Sequence, residues 1–244
     1  MAALLATIAF SNACGKADAP VPNEQTAAND SAGGGAVMMP ESTGEGGVAA
    51  TGTARVVILG TSLTAGLGLD PAQAYPALLQ GKADSAGYPV RIVNAGLSGE
   101  TSAGAVRRAA WVLDQPATLV ILEVGANDGL RGVDPDSTYA NIVQLVETVR
   151  RTQPSARVVL MQMEAPSNLG ASYTTRFHDI YRQAAETTHI SLWPFLLDGV
   201  AGDGRLNQAD GIHPNFKGST LVATTVWRSL APVLAVAVGR TSSP

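Results

Sequence analysis

A single cysteine, Cys14, serves the whole 244-residue chain. It excludes an intramolecular disulfide and any metal site built from several thiolates. Charge is also sparse: 16 Lys+Arg stand against 20 Asp+Glu, and no basic run forms a stripe that would track phosphates. Nucleic-acid binding is therefore disfavoured. Aromatic side chains are few, with three Trp, five Tyr and four Phe, too few to favour a sugar-stacking groove and removal of acetyl groups from polysaccharide. Three glycine motifs are incomplete as well. Gly60-Thr61-Ser62-Leu63-Thr64-Ala65-Gly66 lacks the P-loop lysine, Gly66-Leu67-Gly68 lacks a third glycine at the dinucleotide spacing, and Thr64 breaks the G-x-S-x-G elbow. No solenoid-length repeat is visible. What the chain does have is 45% hydrophobic residues, ample for a sizeable core.

The chain divides by composition into three parts. Residues 1–14 carry an apolar stretch, Ala2 to Phe10, and then Ser11-Asn12-Ala13-Cys14-Gly15, which resembles a bacterial export signal ending in a lipid-modified cysteine. No Lys or Arg follows Met1, and Ser11 and Asn12 stand where a lipobox favours an aliphatic and a small residue, so a plain leader cut near Ala13 is the alternative. The stretch is far short of the ~20 residues a spanning helix requires. The expectation is an exported domain, periplasmic or anchored to a membrane through lipidated Cys14. Residues 15–53 are rich in Gly, Ala, Ser, Thr, Asn and Pro without a hydrophobic period, and so read as a flexible linker. Residues 54–244 form the folded domain.

Within that domain, Val56–Leu59, Val90–Val93, Leu119–Val124, Val158–Met161 and Ile190–Leu192 are short and apolar on both faces, the signature of parallel strands covered by helices on either side. Asp134-Pro135 begins an amphipathic helix through Tyr139, Ile142, Val143, Val146 and Val149. Phe177, Ile180, Tyr181 and Ala184 repeat the spacing, and Leu221–Val238 predicts a long apolar closing helix. Alternating β and α units with right-handed crossovers predict a three-layer α/β/α sandwich, flavodoxin-like, with five parallel strands, whose order is here assumed to be 2-1-3-4-5. Ligands bind such sheets beyond the carboxyl ends of the strands, where the order reverses. Ser62, Gly96 and Asn127 each follow one of the first three strands and meet there.

Serine needs a base within hydrogen-bond reach to act as a nucleophile. Ser62, between Gly60 and Gly66, is the candidate, and a serine capping a turn is the plainer reading. Of three histidines, His178 sits inside an amphipathic helix and His189 at the amino end of the last strand, so both read as structural. His213 follows the last strand, three residues after Asp210, a spacing that lets one loop place the carboxylate on Nδ1 and free Nε2 for Ser62. A solvent-exposed Asp/His pair is the alternative there. Oxyanion donors are sought in the Ser62 and Gly96 backbone N–H groups and in the Asn127 amide, although Asn127 before Asp128-Gly129 could equally be a turn residue.

These blocks, in this order, resemble the SGNH subgroup of the GDSL hydrolases. Ile58–Gly66, Asn127–Gly132 and Asp210–Asn215 are similar to its bacterial thioesterase I, lysophospholipase L1 and arylesterase branch, from about Arg55 to the C-terminal helix. The resemblance implies Ser62 as nucleophile, His213 as base, Asp210 as its orienting acid, and Ser62, Gly96 and Asn127 as the oxyanion hole. It implies Gly129, Leu130 and Arg131 as substrate contacts, with Glu164–Ser172 as a second wall. Neither metal nor organic cofactor is needed by such a mechanism. The implied substrate is a small ester of short to medium acyl length, with lysophospholipid or acyl-CoA as the alternative and a monomer as the acting form. A non-catalytic binding module that inherited the pocket is disfavoured by the intact Ser62, Asn127, Asp210 and His213. One departure stands out: Thr61 occupies the place of the motif's aspartate.

Overall fold

The computed structural model describes residues 53–240. The leader assigned to residues 1–14, and the linker 15–53 apart from its last residue, lie outside the described residues, as do residues 241–244.

The five apolar runs become five parallel strands: β1 (Ala54–Gly60), β2 (Val90–Gly96), β3 (Leu119–Leu122), β4 (Arg157–Met161) and β5 (Ser191–Trp193). Their order is β2-β1-β3-β4-β5, the arrangement assumed above. Gly60 lies opposite Gly96, and Leu59 opposite both Ala95 and Leu122, so the first three strands end level with one another. Val56, Val57, Ile58 and Leu59 are all fully buried. Because successive strand residues point to opposite faces, both faces of the sheet must be covered.

The helices α1 (Ser62–Ala65), α2 (Tyr75–Ser85), α3 (Ser102–Val112), α4 (Ala126–Arg131), α5 (Pro135–Thr152), α6 (Ala171–Thr188) and α7 (Phe216–Ala237) provide that cover. α3 packs on α5 and α5 on α6, while α2 packs on α7. α5 starts where the sequence indicates: Asp134 Oδ1 accepts from the Asp136 N–H at 3.1 Å, with Pro135 in the first position. Its inward stripe is Ile142, Leu145, Val146 and Val149, and α6 buries Phe177, Ile180, Tyr181 and Ala184. Each valine, leucine, isoleucine or phenylalanine among them contributes about 1.5–3 kcal/mol on leaving water.

Several boundaries differ from expectation; β2, for one, runs on to Gly96 rather than ending at Val93. β3 stops at Leu122 rather than Val124, and Glu123 directs its carboxyl under the turn after β1 while its N–H still donates to Leu59 O at 2.9 Å. α7 begins five residues early, since Asn215 Oδ1 caps it by accepting from the Gly218 N–H at 3.1 Å. α7 is long and apolar enough to cross a membrane by length and composition, yet Val222, Val226, Leu230 and Leu234 are core residues.

Candidate active site

The turn after β1 is built to present a hydroxyl. Thr61 leaves the strand at φ −97°, ψ −153° and caps α1, whose first residue is Ser62, and Gly66 ends the helix at φ +75°. Gly60 has no room for a side chain: an added Cβ would lie 2.1 Å from Thr64 Oγ1 and 2.6 Å from Glu123 Oε2. Beneath the turn Glu123 is fully buried. Its Oε2 accepts from the Thr61 N–H at 2.7 Å and from Thr64 Oγ1 at 2.8 Å, and its Oε1 accepts from Thr61 Oγ1 at 2.9 Å. Thr64 Oγ1 also lies 2.8 Å from the Tyr75 hydroxyl. Burial pushes the Glu123 carboxyl up from 4.5 to about 7, against the lowering effect of these donors. Thr61 thus engages its hydroxyl with Glu123 and with the cap of α1. Glu123 was hidden inside the apolar run 119–124; a carboxylate at full burial in a strand run was the signal.

The second loop supplies an imidazole. After β5 the chain returns through an antiparallel bridge between Asn207 and Pro214, with Gln208 N–H donating to His213 O at 2.7 Å and Asn215 N–H to Leu206 O at 2.9 Å. Gly211 makes the tip at φ +71°. Asp210 Oδ1 accepts from the N–H groups of Ile212 at 2.9 Å and His213 at 3.0 Å, and Oδ2 lies 2.6 Å from His213 Nδ1. The His213 backbone N–H, then its ring, then the Ile212 N–H hold the Asp210 carboxyl down to about 2. An ionised Asp210 can only accept, so Nδ1 carries the ring proton and Nε2 keeps its lone pair. Nε2 is 2.8 Å from Ser62 Oγ, across 151 positions of sequence.

Gln208 joins the two loops. Its Nε2 donates to Leu67 O at 2.7 Å and Pro214 O at 3.0 Å. Gly68, at φ +77°, is the residue that lets it in, because a Cβ there would sit 2.1 Å from Gln208 Oε1. Nothing in the sequence marks Gln208, since its partners are backbone carbonyls, one of them more than a hundred residues away.

The oxyanion donors require a correction. The Gly96 N–H donates to Asn94 Oδ1 at 3.0 Å, and a Cβ at Gly96 would lie 2.2 Å from Ala65 N. Gly96 is therefore a packing glycine under α1, with its donor already taken, and Asn94 finds its role in that bond. Three residues on, Gly99 sits at φ +77°, and its N–H has no acceptor among the described residues. The same holds for the Ser62 N–H. Asn127 Nδ2 donates one hydrogen to Glu100 O at 2.9 Å and retains the other. Arg108 fastens this edge, donating to Glu100 Oε1 at 2.6 Å, Ala95 O at 2.9 Å and Gly60 O at 3.2 Å. Buried Asp128 ties α3 to α4 by accepting from the Ser102 N–H at 2.8 Å and hydroxyl at 2.6 Å.

The expected substrate contacts divide. Gly129 is buried against Phe177, so it offers no surface to a ligand. Arg131 donates to Gly99 O at 2.9 Å, and Leu130 is exposed. The segment 164–172 flanks α4, with Ala165 beside Gly129 and Leu169 beside Gly132. Beside Ser62, a small apolar pocket of about 10 Å³ is lined by Leu67, Leu69, Tyr75, Leu196, Leu197 and His213; Leu196 and Leu197, from the segment after β5, carry no motif that announces them. His178 pairs with Glu164 at 2.7 Å, and His189 ends α6 at φ +50°, so neither joins the site.

Known proteins are similar to this chain in sequence and in fold. The chain is 38% identical over 180 residues to "Esterase TesA" of Pseudomonas aeruginosa, covering 73% of this chain and 89% of that protein. It is 35% identical over 180 residues to "Thioesterase 1/protease 1/lysophospholipase L1" of Escherichia coli K12, covering 73% and 84%. The crystal structure of the psychrotrophic esterase EstA from a Pseudoalteromonas species superposes with a TM-score of 0.70 at 35% identity, covering 74% of this chain and 98% of that one. The model of the GDSL-like lipase/acylhydrolase family matches residues 58–221. On that match and the 38% identity to a relative covered over 89% of its length, the chain belongs to the GDSL-like lipase/acylhydrolase family.

Proposed function

We propose that the chain is a serine esterase that hydrolyses carboxylic esters of short to medium acyl length, aryl esters included, through an acyl-enzyme. The observation that carries this reading is the continuous relay from Asp210 Oδ2 through the His213 ring to Ser62 Oγ, at 2.6 Å and 2.8 Å. His213 Nε2 takes the Ser62 proton as Oγ attacks the ester carbonyl. The charge on the carbonyl oxygen meets the Ser62 and Gly99 N–H groups and the free Asn127 hydrogen, each such donor being worth ~3–4 kcal/mol in the transition state. His213 then protonates the departing alcohol or phenol. Water repeats the cycle on the acyl-enzyme, releasing the acid and restoring Ser62.

Two of the similar proteins are named esterases, which supports ester over thioester cleavage; the third name, thioesterase and lysophospholipase, favours the second reading. A chain-length series of nitrophenyl esters assayed beside acyl-CoA and lysophospholipid separates them. Ester turnover lost in a folded Ser62→Ala variant is expected, retained turnover refutes the assignment, and activity confined to acyl-CoA reverses the order. The apolar stretch 2–10 and Cys14 support export with a lipid anchor. Mass spectrometry of the mature protein is expected to find acylated Cys14 at its start, and an unprocessed Met1 contradicts that.

A further inference from the structure

We propose that Glu123 is the positioning residue of the nucleophile turn: by accepting from Thr61 and Thr64 on either side of Ser62, its carboxylate fixes Ser62 Oγ within reach of His213 Nε2. The inference rests on the serine esterase reading above and adds to it a residue that touches no substrate.

The geometry carries it. Glu123 is fully buried, and no Lys, Arg or His among the described residues donates to it. The groups that face it from neighbouring elements are otherwise engaged. Arg108 of α3 is spent on Glu100 and two strand-end carbonyls, Tyr181 of α6 donates to Val124 O at 2.9 Å, and Asp128 of α4 holds Ser102. Tyr75 of α2 reaches it only through Thr64. Side-chain and backbone donors to Glu123 thus come from the turn that carries Ser62. A buried carboxylate kept only for packing would be replaced at little cost by an apolar residue of similar size; one that accepts from both sides of a nucleophile would not.

The bonding depends on the charge state. With Glu123 ionised, both hydroxyls donate to an acceptor that is all lone pairs. A neutral acid must instead donate, and the hydroxyl oxygens in reach are Thr61 Oγ1 and Thr64 Oγ1. Thr61 Oγ1 already accepts from the Leu63 N–H as the cap of α1, and Thr64 Oγ1 already meets the Tyr75 hydroxyl. Protonation therefore reverses one hydroxyl and loosens the turn at Ser62. Burial lifts this carboxyl to about 7, inside the range over which an esterase is assayed.

The test uses the full chain and nitrophenyl butyrate from about pH 5 to about pH 9. Glu123→Gln, checked for folding by circular dichroism, is expected to lower kcat ~10–100-fold with KM within about twofold, as for a reacting group displaced by a fraction of an ångström. Its acid limb should lose one ionisation relative to the parent. Thr61→Val should lower kcat similarly, and Thr61→Ser should restore it. Parental kcat and an unchanged acid limb in Glu123→Gln overturn the proposal; so does equal kcat in Thr61→Val and Thr61→Ser, which decides the matter if Glu123→Gln does not fold. Ser62→Ala runs alongside: Ser62-independent turnover in the parent sinks the esterase reading, whereas Ser62-dependent turnover with an indifferent Glu123→Gln sinks this inference alone.

Discussion

A carboxyl that holds its proton to about pH 7 in the folded chain and to about 4.5 in the unfolded one couples folding to pH. For Glu123 the sign is unfavourable at high pH. Its contribution is fully present below about 4.5, declines as pH rises, and is exhausted above about 7, a difference of the order of 3 kcal/mol. In denaturant unfolding across that range the parent should lose stability as pH rises and Glu123→Gln should lose less; identical slopes contradict the account. Asp210 has the opposite sign. Its carboxyl is depressed to about 2, so what it contributes is present at neutral pH and lost only as pH falls toward that value. At this scale the sequence was readable where chemistry is local. Asp210 and His213 lie three apart on one loop, and elimination among three histidines needs no coordinates. Gly96 was misread because a backbone N–H is free or taken according to one neighbouring side chain, here Asn94 two residues before it. Gly99 differs from Gly96 in sequence by nothing that spacing reveals.

Between elements, the bond that matters most is one that no motif records. Gln208 holds the loop after β5 to the segment after α1 through the carbonyls of Leu67 and Pro214, and so sets the distance between imidazole and hydroxyl. Gln208→Ala should leave the fold intact and reduce kcat ~10-fold or more, since catalysis is sensitive to small misplacements of reacting groups, with KM little changed. Steady-state kinetics decide, and a variant with parental kcat shows that the two loops hold their positions unaided. Strands and helices were legible because burial on both faces and the 3.6-residue stripe are properties of short windows, as α6 shows with Phe177, Ile180, Tyr181 and Ala184. Their ends were less so. β3 closes just before Glu123 and α7 opens early for the Asn215 cap, and in both cases a polar side chain stands at the boundary.

Across the whole molecule, the sheet order brings the first three strand ends level at the edge where the order reverses, and the last loop folds over that edge from β5. Right-handed crossovers and the sequence of runs predict the parallel layers, whereas the order itself was an assumption that the strand pairing bears out. The pocket was not legible, because Leu67, Leu69, Leu196 and Leu197 come from two irregular segments that only the folded chain brings to one wall. The central claim is that His213 activates Ser62 across 151 positions of sequence. A fluorophosphonate probe, which reacts only with an activated serine, tests it when the adduct is mapped by peptide mass spectrometry. The account predicts one adduct, on Ser62, forming at least ~100-fold more slowly in a folded His213→Ala variant. An adduct on another residue, or labelling of Ser62 at the parental rate without His213, would contradict it.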